Sequence, residues 1–379
     1  MTSRTPLSTT STVAAACVAL FTAMCSASSS TPSGTPLTDA GASDADAAAP
    51  YTPTPGADAT VTPFDKRAVH FTGSDNQRTV DADATFPADG AYQKIVLHLA
   101  LDCPQGSCDF WDRFGTIGIV ASKGIDGGAD TVIELARFIT PYRVAAKWDL
   151  DVTDLRPLLS GALTMRAFID TWVGPGSASG NGWLLSASFD MTGGIPDKEP
   201  IAALPIWTER SAVYGDPARP IATTLAPATL TLPSGASSFA VRAFVTGHGQ
   251  GNAGNCAEFC PKKHTLTAAG SAHDQTIWRT DCATTATPNQ AGTYTYPRAG
   301  WCPGADVKPW TTDVTADIAG ASSATFAYDV QAYENSCRPD AVPDGGMCTA
   351  CTLGAGCAYD GGAHTEPSYY VSALLVAYR

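Results

Sequence analysis

Two short cysteine loops in this chain each present a carboxylate. The first runs from Cys103 to Cys108 (CPQGSC) and leads directly into DFWDR, and the second is CAEFC, from Cys256 to Cys260. A disulfide that closed so small a loop would stabilise the fold by only roughly 2 kcal/mol, because it removes little chain entropy. The main effect of such a ring is therefore to fix the position of a neighbouring side chain rather than to stabilise the whole fold. The pattern therefore predicts a site with two fixed carboxylates.

Carboxylates in a partly apolar cleft are suited to general acid and base catalysis, because the loss of water raises their pKa toward neutrality. Asp112 lies between Trp111 and Arg113, with an apolar wall on one side and a cation on the other. Glu258 lies inside the second cysteine loop. Each acid also has a structural alternative: Asp112 as a turn residue paired with Arg113 at the surface, and Glu258 as a solvated glutamate.

The segments that would carry these acids alternate between apolar and polar residues, as strands with one buried face do. The clearest case is Tyr92 to Leu101, and similar patterns occupy residues 164–172, 239–245, 325–333 and 369–378. Gly, Pro and Asp cluster between them, as turns require. The fold class is therefore all-β and antiparallel, with jelly-roll and immunoglobulin-like topologies both open. Turn residues at 193–197 predict two β domains, residues 61–197 and 198–379.

Composition narrows the class of partner and the compartment. The 379 residues carry a net charge of −13, which argues against nucleic acid and anionic membrane surfaces as partners. Twelve cysteines indicate an oxidising compartment. Residues 1–25 are typical of a signal peptide, and a lipid anchor at Cys25 is the alternative. Residues 26–60 hold almost no large apolar side chain and predict a flexible linker.

Several blocks along the chain together carry a resemblance to a known family. The chain resembles the peptide:N-glycosidase F family, and the similarity covers roughly residues 64 to 335. In the first half the matching blocks are FDK at 64–66, FPAD at 86–89, CPQGSCDFWDRF at 103–114, RFITPY at 137–142, DVTD at 151–154, LLSG at 158–161 and TW at 171–172. In the second half they are GH at 247–248, CAEFC at 256–260, HT at 264–265 and RAGWCPG at 298–304.

The resemblance implies two tandem eight-stranded antiparallel jelly rolls with a cleft at their interface. It implies an exported amidase that hydrolyses the amide between asparagine and the innermost GlcNAc of N-linked glycans. The products are an aspartate peptide and a glycosylamine that later loses ammonia. No metal or organic cofactor is implied, and the partners are N-glycosylated proteins or glycopeptides, bound by a secreted or periplasmic monomer.

The resemblance also implies site residues. Asp112 matches the principal catalytic residue and Glu258 the second essential carboxylate. Asp170 occupies the third acidic position, where the family pattern has Glu. Because Asp is one methylene shorter and a misplacement of ~1 Å costs rate, this change predicts an altered efficiency or substrate preference. The residues that match substrate-binding positions are Trp111, Arg113, Trp172, His248, Arg298 and Trp301.

The cysteines divide into two groups under the same resemblance. The implied disulfides are Cys103–Cys108, Cys256–Cys260 and Cys282–Cys302. Four further cysteines lie in an insertion over residues 337–357, namely Cys337, Cys348, Cys351 and Cys357. In an exported Gly-rich segment two more disulfides are favoured over a zinc site, and we predict no bound metal.

Other functions stay open on the sequence. The change to Asp170, together with Thr246 and Phe259 at positions where the family often has Trp, is compatible with an N-glycan-binding protein that has weak or no turnover. A copper enzyme has little support, because the six histidines form no His-x-His pair. A serine nucleophile has none, because the chain contains no Gly-x-Ser-x-Gly motif.

Overall fold

A computed structural model describes residues 51–125, 128–249, 256–335 and 366–379. The predicted signal peptide, Cys25, residues 26–50 of the predicted linker and the insertion at 337–357 lie outside these ranges. Thr52–Arg379 forms one compact unit. Among the described residues, no helix combines the length and the hydrophobicity that a membrane span requires.

The earlier half of the unit consists of antiparallel strands. Their bounds are β1 (Ala59–Val69), β2 (Thr79–Phe86), β3 (Tyr92–Asp102), β4 (Phe114–Ser122), β5 (Thr131–Ile139), β6 (Ala146–Asp151), β7 (Gly161–Ile169) and β8 (Trp183–Gly193). One sheet has the order β1-β8-β3-β6, and the facing sheet contains β5-β4-β7-β2. Two short 3₁₀ segments, Pro104–Gly106 and Thr153–Leu158, lie in the connections.

Side-chain alternation explains why these strands form a sandwich. In β3, Ile95, Leu97, Leu99 and Leu101 are buried, while the residues between them are at least partly exposed. They belong to one hydrophobic core together with apolar residues of β8 and of the facing strands, such as Ile117. Because successive side chains of a strand point to opposite faces, this pattern buries one face of each sheet.

The later half repeats this arrangement. Its strands are β9 (Pro200–Val213), β10 (Ala228–Thr231), β11 (Ser238–His248), β12 (Lys262–Ala268), β13 (Ser271–Ile277), β14 (Ala305–Asp306), β15 (Trp310–Asp313), β16 (Ser323–Val330) and β17 (Ser368–Tyr378). One sheet has the order β15-β11-β17-β9 and the other β10-β16-β12-β13. A second hydrophobic core includes Val241, Phe326 and Leu375. Three four-residue helices, Ile221–Thr224, Cys282–Thr285 and Thr315–Ile318, lie in the connections of the described chain.

Three features join the two halves. Strand β14, from the later half, pairs with β5 at the edge of an earlier sheet. A small apolar cluster combines Phe114 and Ile139 with Phe244 and Trp301. The buried Arg137 of β5 donates to the carbonyl oxygen of Tyr370 in β17, at 2.7 Å. These contacts fix the loops that follow β3, β7 and β11 relative to one another.

The predicted fold class, antiparallel all-β with sandwiched sheets, is confirmed. The end of the predicted linker, at residue 60, overlaps the start of β1 by two residues. Gly56 donates a backbone hydrogen bond to Ala91, and β1 begins at Ala59, because the chain there finds a free edge of β8. The domain boundary at 197/198 and the number of strands per domain stay predictions; β8 ends at Gly193 and β9 begins at Pro200.

Candidate active site

The loop between β3 and β4 is anchored by a carboxylate that the sequence analysis left without a role. Asp109 is fully buried. It accepts hydrogen bonds from the backbone N–H of Trp111 (3.0 Å), from Arg113 Nε (2.8 Å) and from Thr171 Oγ1 (2.6 Å). The Cys103–Cys108 disulfide closes the preceding turn. The acid beside Cys108 is therefore the residue that shapes the loop, and Asp112 is the acid that the loop presents.

Asp112 is held by a buried tyrosine. Tyr142 Oη donates a hydrogen bond to Asp112 Oδ2 at 2.7 Å, and Tyr142 is fixed in turn by its backbone N–H, which donates to Gln290 Oε1. Burial raises the pKa of Asp112, while the bond from Tyr142 and the charges of Arg298 and Arg113 oppose that rise. Tyr142 was missed as a site residue, although it lies in a block that carries the resemblance.

Glu258 is held by its backbone on both sides. Its N–H donates to Gly249 and its carbonyl oxygen accepts from Ala299, and the Cys256–Cys260 disulfide closes the turn around it. Glu258 Oε1 lies 3.2 Å from Arg298 Nε. Burial, and then the negative charge of Asp112, raise the pKa of Glu258 to about 7, against the opposing charge of Arg298. Asp112 and Glu258, distant in the chain, thus face the same cation.

Arg298 is the centre of this arrangement. Its side chain is 1% exposed, and its guanidinium also donates to the carbonyl oxygens of Thr293 and Tyr296, each at 3.0 Å. Its Cζ lies 5.0 Å from the ring centroids of both Phe259 and Trp301. A buried cation with this many partners is fixed in place, so we assign it to positioning Glu258 rather than to open contact with a ligand.

Asp170 follows β7 and pairs with an arginine that sequence reasoning missed. Arg78 Nη1 donates to Asp170 Oδ1 at 3.2 Å, and Arg78 Cζ lies 4.1 Å from the Trp172 ring centroid. Burial raises the pKa of Asp170, and the charges of Arg78 and then Arg113 lower it. The charge of Arg113 lowers the pKa of both Asp112 and Asp170, and that of Arg298 lowers the pKa of both Asp112 and Glu258, so the three predicted acids are linked through two shared cations. Nothing in the sequence around Arg78 marks it for this role.

The three tryptophans among the predicted substrate-binding residues fall into two groups. Trp111 and Trp172 are exposed by 57% and 52%, unusual for such large apolar side chains, and each lies within two residues of a candidate acid. Trp301 is 3% exposed, and its Nε1 donates to the carbonyl oxygen of Gly247 at 2.7 Å. The burial of this ring gives no support to the prediction that Trp301 binds sugar.

His248 lies on the inner side of the site. Its ring stacks on Trp301 with centroids 5.4 Å apart, and its Nε2 lies 2.9 Å from Thr246 Oγ1. Burial, reinforced by the charge of Arg137, lowers the pKa of His248 to about 3, so the imidazole is neutral at physiological pH. A neutral, stacked imidazole supports the loop and is poorly suited to supply a proton.

The three disulfides that the resemblance implied are present: Cys103–Cys108, Cys256–Cys260 and Cys282–Cys302. Within the described ranges, no group of three or more His, Cys, Asp or Glu side chains is arranged to hold a metal ion. The question of zinc or disulfides at Cys337, Cys348, Cys351 and Cys357 lies outside those ranges.

Comparisons with known proteins give the same picture. A family model described as "Peptide-N-glycosidase F, N terminal" matches residues 117–181, and one described as "Peptide-N-glycosidase F, C terminal" matches residues 218–348. The peptide-N(4)-(N-acetyl-beta-D-glucosaminyl)asparagine amidase F of Elizabethkingia miricola is 30% identical over 288 residues, which are 72% of this chain and 77% of that protein.

Solved structures agree in fold. The structure of PNGase F, a glycosylasparaginase from Flavobacterium meningosepticum, matches with a TM-score of 0.66 and 24% identity over 85% of this chain and 96% of that one. The structure of PNGF-II matches with a TM-score of 0.60 and 18% identity over 84% of this chain and 65% of that one. At these identities the two structures establish the fold alone. The two matched family models and the 30% identical amidase show more than a shared fold. The chain belongs to the peptide-N-glycosidase F family.

Proposed function

We propose that this protein is an exported amidase that hydrolyses the bond between asparagine and the innermost GlcNAc of N-linked glycans. One observation carries the proposal: Asp112 and Glu258 face the same buried cation, Arg298, and both have a raised pKa. The amidase activity in the name of the 30% identical relative supports it.

The proposed chemistry divides the work between the two acids. Asp112 serves as the base, because the hydrogen bond from Tyr142 favours its charged form. It takes a proton from a water molecule that attacks the amide carbonyl carbon. Glu258, with its pKa raised to about 7, supplies the proton that the departing nitrogen needs when the C–N bond breaks. The peptide keeps an aspartate and the glycan leaves as a glycosylamine.

The exposed side chains of the site are the ones that we assign to substrate binding. Trp111 and Trp172 offer aromatic surface to the apolar faces of sugar rings, and Arg113, partly exposed, offers donors to carbonyl or hydroxyl oxygens. Arg298, His248 and Trp301 support the site from within. Asp170 acts through its ion pair with Arg78, which packs against Trp172.

Mass spectrometry of a treated glycopeptide tests the proposal. The expected result is loss of the whole glycan with conversion of the asparagine to aspartate, and retained GlcNAc on the peptide would identify a glycosidase instead. Asp112→Asn is the control, since it keeps the shape of the side chain and removes the base. Full activity of this variant would refute the assigned role.

A second candidate is an N-glycan-binding protein with weak or no turnover. The observation in its favour is that Asp170 is shorter than the family's Glu and is engaged by Arg78. The same experiment separates the two functions, because this candidate predicts glycan binding with no change at the asparagine.

The location and state of the protein are part of the proposal. Three disulfides support export to an oxidising compartment, either secretion or the periplasm, with a lipid anchor at Cys25 as the alternative. We propose a monomer that needs no cofactor, so a chelator should leave glycan release unchanged. Cell fractionation and mass measurement of the mature N-terminus check the location.

A further inference from the structure

A second cleft, lined by none of the candidate acids, adjoins the segment that carries Arg298, and we infer that it binds a neutral oligosaccharide. Its volume is about 480 Å³, within the range of about 300–1,000 Å³ for small-ligand sites. Two tryptophans, Trp278 and Trp310, line it together with hydroxyl and amide side chains. None of the residues that line it is among the acids or exposed tryptophans of the candidate active site.

The two tryptophans are held by regular structure. Trp278 directly follows β13, and Trp310 begins β15 and pairs with Ala243 of β11. Both pack in part against the core of the later half and in part line the cleft. Half-buried aromatic rings fixed in this way offer preorganised apolar surface at low entropic cost, which suits the apolar faces of sugar rings.

The polar lining favours an uncharged ligand. Gln275, Thr276 and Thr311 are exposed and offer amide and hydroxyl groups. Arg279 and Asp281, which also line the cleft, neutralise each other through two hydrogen bonds of 2.8 and 2.9 Å. Lys308 is the remaining cation among the lining residues. A single exposed lysine is a weak site for a phosphate, whereas hydroxyls and amides beside tryptophan match a saccharide.

The cleft shares a wall with the candidate active site. The backbone N–H of Arg279 donates to the carbonyl oxygen of Arg298 at 2.8 Å, and Gly300 lines the cleft directly. The same segment presents Arg298 to Glu258 on the other side. A cleft placed beside the acids can therefore take outer sugars of a glycan whose innermost GlcNAc lies in the active site. The choice of a saccharide rests in part on the proposed function.

Binding is tested by following the indole N–H signals of the full protein by NMR. The probe is a free mannose-rich oligosaccharide, and Trp278→Phe and Trp310→Phe identify the two signals. We expect both signals to shift together in a saturable titration, while the signal of Trp148, which lines a different cleft, stays in place. Trp278→Ala combined with Trp310→Ala should weaken this binding at least tenfold and leave any response of Trp172 intact.

Kinetics distinguish a bound arm of the substrate glycan from a separate saccharide. For a glycopeptide with a full oligosaccharide, the double alanine variant should show a KM raised about fivefold with kcat unchanged. For one that carries only two GlcNAc residues, both constants should stay at wild-type values. An unchanged KM on both substrates, with binding lost, identifies a separate saccharide as the ligand.

Two results would overturn the inference: no shift of either indole signal at saturating oligosaccharide, or shifts only with an unglycosylated denatured polypeptide. Failure of the amidase proposal would give a different set of results. In that case no glycan is released by the wild type, while the indole signals still respond to the free oligosaccharide. A thermal melt close to that of the wild type confirms that the alanine variants are folded.

Discussion

Single side chains decide the chemistry of the candidate site. Asp112 and Glu258 approach closely enough that the charge of one raises the pKa of the other. The two like charges are tolerated because the positive charge of Arg298 lowers the pKa of both carboxyls. Tyr142 and Arg298 both favour the charged form of Asp112. The identity of base and acid therefore depends on neighbours rather than on the acids themselves.

Tyr142→Phe should shift the acidic limb of the pH–rate profile upward. The hydroxyl lowers the pKa of Asp112, so its removal raises that pKa and protonates the base at a higher pH. The activity of this variant near pH 6 should fall more than its activity near pH 8. Measuring kcat/KM from pH 6 to pH 8 checks this. Tyr296→Phe, an exposed tyrosine nearby in sequence to Arg298, is the matched control. Superimposable profiles for Tyr142→Phe and wild type would contradict the role of Tyr142.

Glu258 should make the fold less stable as pH rises. Its pKa is raised from 4.5 to about 7 in the folded protein, so between these values the folded state binds more protons than the unfolded chain. The free energy of unfolding should therefore decrease through this window, by at most about 3 kcal/mol. Glu258→Gln should remove this part of the dependence in urea titrations at pH 5 to 8. The control, Asp65→Asn at an exposed position of β1, should keep the pH dependence of the wild type. Equal slopes for Glu258→Gln and wild type would refute the argument.

At the scale of elements, the loop after β3 depends more on its buried acid than on its disulfide. Asp109 neutralises Arg113 and accepts three hydrogen bonds, two from Trp111 and Arg113 within the loop and one from Thr171 in the segment after β7. The Cys103–Cys108 disulfide joins residues only five positions apart and removes little chain entropy. One carboxylate thus fixes the loop internally and ties it to the segment after β7.

Asp109→Asn should therefore destabilise the protein more than loss of the disulfide. The substitution leaves the partly buried Arg113 without its counter-ion, which costs about 3 kcal/mol or more. Cys103→Ser combined with Cys108→Ser should cost about 2 kcal/mol. Chemical denaturation of both variants measures the difference, and the reverse order would show that the ring, rather than the acid, holds the loop.

Strand patterns were predictable where one face is buried. The alternation in Tyr92 to Leu101 predicted β3 and its inward residues. The resemblance selected Asp112 and Glu258, whose roles stay predictions, and the charge of Asp112 does act on the pKa of Glu258. The partners Arg78, Tyr142 and Asp109 were not predictable, because their roles depend on long-range contacts that no local pattern encodes. The burial of Trp301 was equally hidden, since a lone tryptophan fits a core and a sugar platform alike.

For the whole molecule, the joint between the two halves contains a buried ion pair. Arg137 Nε lies 2.7 Å from Glu134 Oε1, and Arg137 also donates to Thr246 Oγ1 in β11 at 3.0 Å. Ser372 of β17 donates to Glu134 Oε2 at 2.6 Å. One charged pair from β5 thus receives partners from two strands of the later half. Burial, reinforced by the charge of the same arginine, keeps His248 neutral.

Arg137→Met should weaken this joint strongly. It leaves Glu134 buried without its cation, which costs about 3–5 kcal/mol. It also removes three hydrogen bonds between the halves, to Thr246, Tyr370 and Ser372. We expect a lower urea midpoint and separate transitions for the halves. Arg166→Gln removes more exposed ion pairs, with Asp81 and Asp130 inside the earlier half, and should cost about 1 kcal/mol or less. A single transition with an unchanged midpoint for Arg137→Met would show that the joint does not depend on this pair.

Strand β14 affects how a fragment of the earlier half alone would behave. It contributes two residues, Ala305 and Asp306, that cover the outer rim of β5 at Ile139 and Phe138. A fragment that ends near residue 197 lacks this cover and displays bare peptide groups along β5, which is a template for pairing with another copy. Such a fragment should self-associate in gel filtration, and adding back a peptide that spans residues 303–309 should reduce the association.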